Sequence, residues 1–135
     1  MRFRSRLAVL ALILSSSASP ARAAVCLDTS MTLDEIADAI DATPGCAPAM
    51  KLFEACAFGT SGYLRLGAAV EKKCEGDFWR WLKPPQARDY QRDMAVCDGK
   101  YRNESGTMYR SFTAFCRAQV AQRYARKAAG PSRAR

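Results

Sequence analysis

Apolar side chains recur every three or four residues along five stretches of the chain, which is the spacing of helices with one buried face. The first stretch has an apolar face made of Leu33, Ile36, Ala37 and Ile40. Thr32 and Glu35 have the spacing of a capping box at its start, in which each side chain bonds a backbone N–H. The turn-forming sequence at 43–45 then ends the predicted helix.

Four more helices are predicted from the same periodicity and from the glycines and prolines that interrupt it. The second has Pro48 in its first turn, the third runs from about Tyr63 to Leu82, the fourth follows Pro84, and the fifth begins at about Thr107. The aromatic and methionine side chains on these stripes are expected to form the core. Because the turns are short, neighbouring helices should be antiparallel. The sequence therefore predicts an all-α fold, a small bundle of about five helices.

Residues 1–23 have the features of a secretory signal peptide. Arginines at positions 2, 4 and 6 precede an apolar run at 7–14, and 21–23 has the small-x-small pattern of a cleavage site. A retained membrane anchor is the competing interpretation, but the apolar run is much shorter than the roughly 20 residues of a span. We expect a cleaved leader at 1–23, a single helical domain at 24–129 and a disordered basic tail at 130–135. No membrane span is expected after cleavage.

All six cysteines follow the leader, namely Cys26, Cys46, Cys56, Cys74, Cys97 and Cys116. An even number of cysteines in an exported chain predicts disulfides, because oxidising compartments let them form and persist. The alternative is a zinc site, but the sequence has no histidine and no Cys-x-x-Cys pair, which zinc sites usually need. We therefore expect three disulfides that cross-link the bundle, and neither a metal nor another cofactor.

The best-defined disulfide is Cys97–Cys116. These cysteines lie at similar distances on either side of the turn near Ser105, on facing stripes of an antiparallel helix pair. Cys46 and Cys56 should not pair, because a helix rises about 1.5 Å per residue and would hold them too far apart for a disulfide.

The other two disulfides stay open among the fifteen connectivities that six cysteines allow. Cys46 and Cys74 lie equally far from the turn near Thr60, which favours a Cys46–Cys74 bond. Cys26 would then pair with Cys56.

Charge is distributed unevenly along the chain. Four of the 21 basic residues are leader arginines, so 17 basic and 13 acidic residues remain, a net charge of +4. The stretch from Cys26 to Thr43 is purely acidic, and everything after Cys116 is purely basic. A general nucleic-acid binder would more often carry its positive charge on the folded body, so no nucleic-acid partner is expected. The candidate interaction residues are Asp34, Asp38 and Asp41 on the acidic side and Arg123, Arg126 and Lys127 on the basic side.

The basic run has three interpretations. It could bind an anionic partner, such as an envelope polymer, a lipid headgroup or an acidic protein. It could instead complement the negative end of the last helix dipole and add solubility. The third interpretation is internal, since the acidic first helix could attract the basic last one.

Candidate catalytic groups are few. Without histidine, the commonest general base and the usual triad partner are missing. Glu71 and Glu75 share one helix face and Asp89 and Asp93 share another, but such charges on a helix normally face solvent beside cationic neighbours. We expect no catalytic residue and no enzymatic activity.

The cysteines and their neighbours resemble a known family, the lysozyme-inhibitor LprI-type domain, over residues from about 46 to 124. The matching positions are Cys46, Cys56-Ala57, Leu66, Val70, Pro85-Gln86, Arg92-Asp93, Cys97, Gly106-Thr107-Met108, Cys116 and Arg123. Tyr90 stands where the family has a tryptophan, one position late, and Cys26 and Cys74 have no family counterpart. The resemblance implies a helical exported domain, with some members acting on lysozyme, and it transfers no inhibitory residue to this chain.

Together these features predict an exported, soluble binding or inhibitory module of the cell envelope, periplasmic or secreted, which acts by surface contact without catalysis. A lysozyme target would be basic and would contact the acidic first helix. The alternative is a structural or stress-related periplasmic protein that contacts an anionic envelope polymer through its basic C-terminus. The partner is therefore either a protein or an anionic polymer, and the sequence leaves the oligomeric state open.

Overall fold

Five helices and one short turn make up the fold. The computed structural model describes Cys26 and residues 30–56 and 62–130. The helices are α1 (Leu33–Asp41), α2 (Cys46–Cys56), α3 (Tyr63–Phe78), α4 (Pro84–Lys100) and α5 (Thr107–Ala129). A 3₁₀ turn, Trp79–Trp81, joins α3 to α4, and no strand occurs among the described residues. The prediction of a small disulfide-bonded helical bundle is confirmed. The leader at 1–23 and residues 131–135 of the tail lie outside the described residues.

The starts of α1 and α2 are fixed by side chains that bond free backbone N–H groups. At α1, Thr32 Oγ1 accepts from the Glu35 N–H at 3.3 Å, and the Thr32 N–H donates to Glu35 Oε2 at 2.7 Å. This is the predicted capping box. At α2, the cap comes from another helix, because the Cys46 N–H donates to Asp77 Oδ2 at 2.8 Å. An acceptor 31 residues away in sequence leaves no local pattern, so this cap was not predicted.

Helix α3 is the centre of the bundle. Helix α2 runs antiparallel to it, since Cys46 lies by Cys74 and Phe53 lies by Tyr63. Helix α5 runs in the same sense as α3 and packs against it more extensively than any other pair of helices. The two backbones come close at Gly67, where a Cβ would lie 3.0 Å from the Cβ of Ala114. A larger side chain at position 67 would push α5 away.

The core contains two aromatic groups that join different helices. Phe53 of α2 lies 4.5 Å, between ring centroids, from Phe115 of α5. At the other end of α3, Phe78 lies 5.1 Å from Tyr90 of α4 and 5.8 Å from Tyr124 of α5. Between these groups the fully buried side chains are aliphatic or sulfur-containing, namely Ile40, Met50, Leu66, Val70, Cys74 and Cys97. Burial of these side chains supplies most of the free energy that favours folding.

Three disulfides connect the helices, and their pairs are those that the helix geometry favoured. Cys46–Cys74 joins α2 to α3, Cys97–Cys116 joins α4 to α5, and Cys26–Cys56 ties the segment before α1 to the end of α2. No cysteine of the described residues is free. Because such bonds persist where thiols are oxidised, they indicate folding in an oxidising compartment.

The prediction for the end of the third helix was wrong. Helix α3 stops at Phe78, four residues before the expected end, and the chain then forms the 3₁₀ turn. The residue before a proline is driven out of the helical region, and Lys83 accordingly has an extended ψ of 157°. The turn directs Trp79 and Trp81 outward, leaving them 48% and 54% exposed. Both tryptophans therefore lie at the surface, and so do Met108 and Phe112 of α5, against the expectation that the aromatic and methionine side chains form the core.

Candidate interaction surfaces

The acidic candidates of α1 face cations of α3. Asp34 forms an ion pair with Arg65 at 2.5 Å, and Asp41 lies 4.0 Å from Lys72. Asp38 is exposed. These pairs are largely solvated, so each contributes little to stability, but each cation offsets the negative potential of the helix. The acidic surface is therefore weaker than the sequence suggests.

The first arginine after Cys116 belongs to a network of ion pairs that joins three helices. Arg117 makes two hydrogen bonds to Glu71, at 2.6 and 2.9 Å, and two to Asp98, at 2.8 and 2.9 Å. Hydrogen bonding to Glu71 is the largest cause that raises the pKa of the Arg117 guanidinium above its usual range, and hydrogen bonding to Asp98 adds to it. Arg117 thus joins α5 to both α3 and α4, and its charge is already matched by two carboxylates.

The internal interpretation of the basic run, attraction between α1 and α5, stays a prediction. Ion pairs between helices of the described residues join α1 to α3 and α5 to both α3 and α4, and one further pair lies within α4.

The carboxylates considered as catalytic pairs have separate partners. Glu71 bonds Arg117, whereas Glu75 accepts from the Tyr90 hydroxyl at 2.9 Å. On α4, Asp89 pairs with Arg92 at 2.6 Å. Burial, followed by the hydrogen bond to Glu75, raises the pKa of Tyr90 well above its usual value. Each carboxylate therefore has a local partner that explains its position in the fold.

Asp93 connects α4 to the end of α5. It accepts a hydrogen bond from the Tyr124 hydroxyl at 3.1 Å and from Arg123 at 3.5 Å. Burial and the bond to Asp93 raise the pKa of the Tyr124 hydroxyl. The basic candidate Arg123 is therefore partly neutralised.

A groove of about 360 Å³ runs between α3 and α5. Its polar lining is the Glu71–Arg117 pair together with Lys72, Glu75 and Thr113, and the small side chains Gly67 and Ala114 form its floor. Because the strongest charges in it bond each other, the groove offers a ligand few unmatched groups. We regard it as a consequence of the close packing at Gly67.

Another basic candidate, Lys127, lines a second cavity of the structure. A cleft of about 310 Å³ lies between the 3₁₀ turn, the start of α4 and the end of α5. We call it the Trp81 cleft; its lining is Trp81, Leu82, Gln86, Asp89, Tyr124, Lys127 and Ala128. The Lys127 ammonium lies 5.1 Å from the centre of the Tyr124 ring, a cation–π distance.

Further cations lie close to the lining residues of the Trp81 cleft in sequence. The Arg80 guanidinium lies 5.0 Å from the centre of the Trp81 ring. Lys83 and Arg126 are exposed nearby in sequence, at the start of α4 and the end of α5. The structure therefore brings the predicted candidate Lys127 together with an exposed tryptophan. The sequence analysis expected aromatic side chains of the third helix in the core, and only the proline pair after Trp81 could have indicated otherwise.

Neither a membrane-spanning helix nor a metal-binding cluster occurs among the described residues. None of their helices is long and apolar enough to cross a bilayer. Within the same ranges, no group of three or more cysteine, aspartate or glutamate side chains is placed to hold a metal ion.

The fold and its surfaces define a class, a small all-α module cross-linked by three disulfides with an aromatic and basic end. Comparisons with family models, with curated proteins and with solved structures find no match to the chain. The resemblance to the LprI-type domain therefore stays a prediction.

Proposed function

We propose that the chain is an exported binding module of the cell envelope, which acts by surface contact without catalysis, and that its partner is an anionic envelope polymer. The observation that carries the proposal is the Trp81 cleft, where an exposed aromatic ring and the cation Lys127 line one concave surface. Exposed tryptophans and cations together are typical of surfaces that bind a partner.

The leader-like N-terminus and the disulfides support a location in the cell envelope or outside the cell. The pattern at 1–23 is that of a signal peptide, and the three disulfides suit a protein that works outside the cytoplasm. Polymers of bacterial envelopes carry carboxylates and phosphates, so a basic surface would attract them in that location.

The pairing of the carboxylates supports a binding role over a catalytic one. A general acid or base has to reach substrate and exchange protons near neutral pH. Glu71, Glu75 and Asp93 instead hold hydrogen bonds that join helices. Their replacement would alter the fold before it altered any chemistry.

A second candidate function is inhibition of lysozyme through α1. It is favoured by the exposed carboxylates of Asp34 and Asp38, which a basic enzyme would attract, and by the resemblance described above. The ion pairs of Asp34 with Arg65 and of Asp41 with Lys72 weaken this attraction. We therefore propose the anionic polymer as the partner ahead of lysozyme.

Co-sedimentation with insoluble peptidoglycan tests the proposal. The wild-type chain should sediment with the polymer, and the double variant Arg126→Glu, Lys127→Glu should bind about tenfold more weakly, a change of about 1.4 kcal/mol. Added salt should weaken wild-type binding, because the contact is electrostatic. The double variant Lys100→Glu, Arg102→Glu is the matched control, since it also reverses two exposed cations, at the other end of α4, where Lys100 lies 5.3 Å from the centre of the Tyr101 ring.

The outcomes separate the two candidate functions. Equal sedimentation of the double variant and the wild type would contradict the role of the basic end. Inhibition of lysozyme by the wild type that disappears in Asp34→Asn, Asp38→Asn would establish the second candidate in its place.

A further inference from the structure

The Trp81 cleft has the lining of a site for one sugar residue. We propose that it binds a sugar that carries a carboxylate, with the sugar ring stacked on the Trp81 indole and the carboxylate paired with Lys127. This inference rests on the proposed function, because it names the chemical unit of the polymer that the cleft would recognise.

The size and the apolar part of the cleft suit a single ring. Its volume of about 310 Å³ is at the lower end of the range for small-molecule sites, which begins at about 300 Å³. Trp81 is 54% exposed, and Leu82 and Ala128 line the cleft beside it. The C–H groups on one face of a sugar ring can pack against the indole by dispersion and can contact its electron-rich face.

The polar groups suit the hydroxyl groups of a sugar. Gln86 Oε1 accepts from the Lys83 backbone N–H at 2.9 Å, so the Gln86 amide nitrogen is left as a donor. Asp89 holds Arg92 through Oδ1, and its second oxygen can accept from a hydroxyl. Gln86 and Asp89 are three residues apart on α4, so the cleft presents a donor and an acceptor on the same wall.

The charges favour one carboxylate per ring. Lys127 supplies a cation in the lining, and Arg126 adds positive charge beside it in sequence. Asp89, which pairs with Arg92, adds negative charge to the same lining, so it would repel a densely charged phosphate chain more strongly than a ring with one carboxylate. A neutral sugar would leave the Lys127 charge unmatched, so the acidic sugar should bind more tightly.

Two soluble disaccharides test the inference in solution. The first consists of N-acetylglucosamine linked to N-acetylmuramic acid, which carries a carboxylate, and the second consists of two N-acetylglucosamine units, which carry none. NMR titration of the full mature chain should give at least about fivefold tighter binding of the acidic disaccharide, which corresponds to about 1 kcal/mol. The phosphate ester of N-acetylglucosamine, run alongside, should bind more weakly than the acidic disaccharide.

Four variants assign the two contacts. Trp81→Ala should remove binding of both disaccharides, whereas Trp81→Phe should retain part of it. Lys127→Met should keep the neutral disaccharide and lose the preference for the acidic one. Trp79→Ala is the matched control, because Trp79 lies in the same turn but packs on Tyr90, with ring centroids 5.8 Å apart, and is not part of the lining. Circular dichroism of each variant shows whether the fold is intact.

Equal affinity of the two disaccharides, tighter binding of the phosphate ester, unchanged binding by Trp81→Ala or no binding of either disaccharide would each overturn the inference. The proposed function is judged separately by sedimentation. If the wild type sediments with peptidoglycan while the disaccharide results are negative, the polymer is recognised elsewhere on the basic end. If sedimentation also fails, both proposals fail together.

Discussion

Replacing Cys46 and Cys74 together with alanine is expected to lower the free energy of unfolding by about 2–5 kcal/mol, the usual cost of removing a native disulfide from a small secreted domain. The bond joins α2 to α3, its cysteines are 28 residues apart in sequence, and both are buried. Its loss lets the unfolded chain explore more conformations, which favours unfolding. Urea denaturation followed by far-UV circular dichroism measures the change.

A reductant provides the control for this variant. When the wild type and the double variant are both reduced, their midpoints should converge, because neither chain then contains a disulfide. A double variant that unfolds at the same urea concentration as the oxidised wild type would show that the bond does not stabilise the protein.

Replacing Phe78 with alanine is expected to lower the free energy of unfolding by about 3–5 kcal/mol. The ring is fully buried at the end of α3 and contacts Tyr90 of α4 and Tyr124 of α5, so its removal leaves a cavity where three helices meet. Thermal and urea denaturation measure the loss.

Phe112→Ala is the matched control for the same change of side chain. Phe112 is 45% exposed, and its ring contacts the half-buried rings of Tyr101 and Tyr109. Its replacement should cost about 1 kcal/mol, the contribution of aromatic contacts at a solvated site. Equal losses in the two variants would contradict the position of Phe78 at the centre of the core.

The basic end is held in place by contacts along the whole of α5. The Cys97–Cys116 bond and the Arg117 network fix its first half, and the bond from Tyr124 to Asp93 fixes its second half. Lys127 follows Tyr124 by less than one helical turn. A helix fixed in this way can present Lys127 to a partner with little loss of backbone entropy on binding.

Local patterns predicted most of the fold. The capping box at Thr32 and Glu35 and the apolar spacing of three or four residues both act over one or two helical turns, so they can be recognised in the sequence alone. Cysteine pairing could also be inferred, because helix rise and turn position limit which sulfurs can meet. The Cys97–Cys116 pair follows from two helices and one short turn.

Contacts between distant segments could not be predicted. Arg117 and Glu71 are 46 residues apart, and only the packed bundle makes them neighbours. The Trp81 cleft depends on the end of α3 at Phe78, because the 3₁₀ turn that follows places Trp81 at the surface. Periodicity reports which residues share a face of a continuous helix, so it fails where the helix ends early.

NMR chemical-shift mapping with soluble peptidoglycan fragments tests the central claim most directly, because it locates the contact surface without any substitution. The account predicts that the largest shifts fall on the 3₁₀ turn, on the first turn of α4 and on the last turns of α5, around Trp81, Gln86 and Lys127. Shifts confined to α1, around Asp34 and Asp38, or no shifts at all, would contradict it.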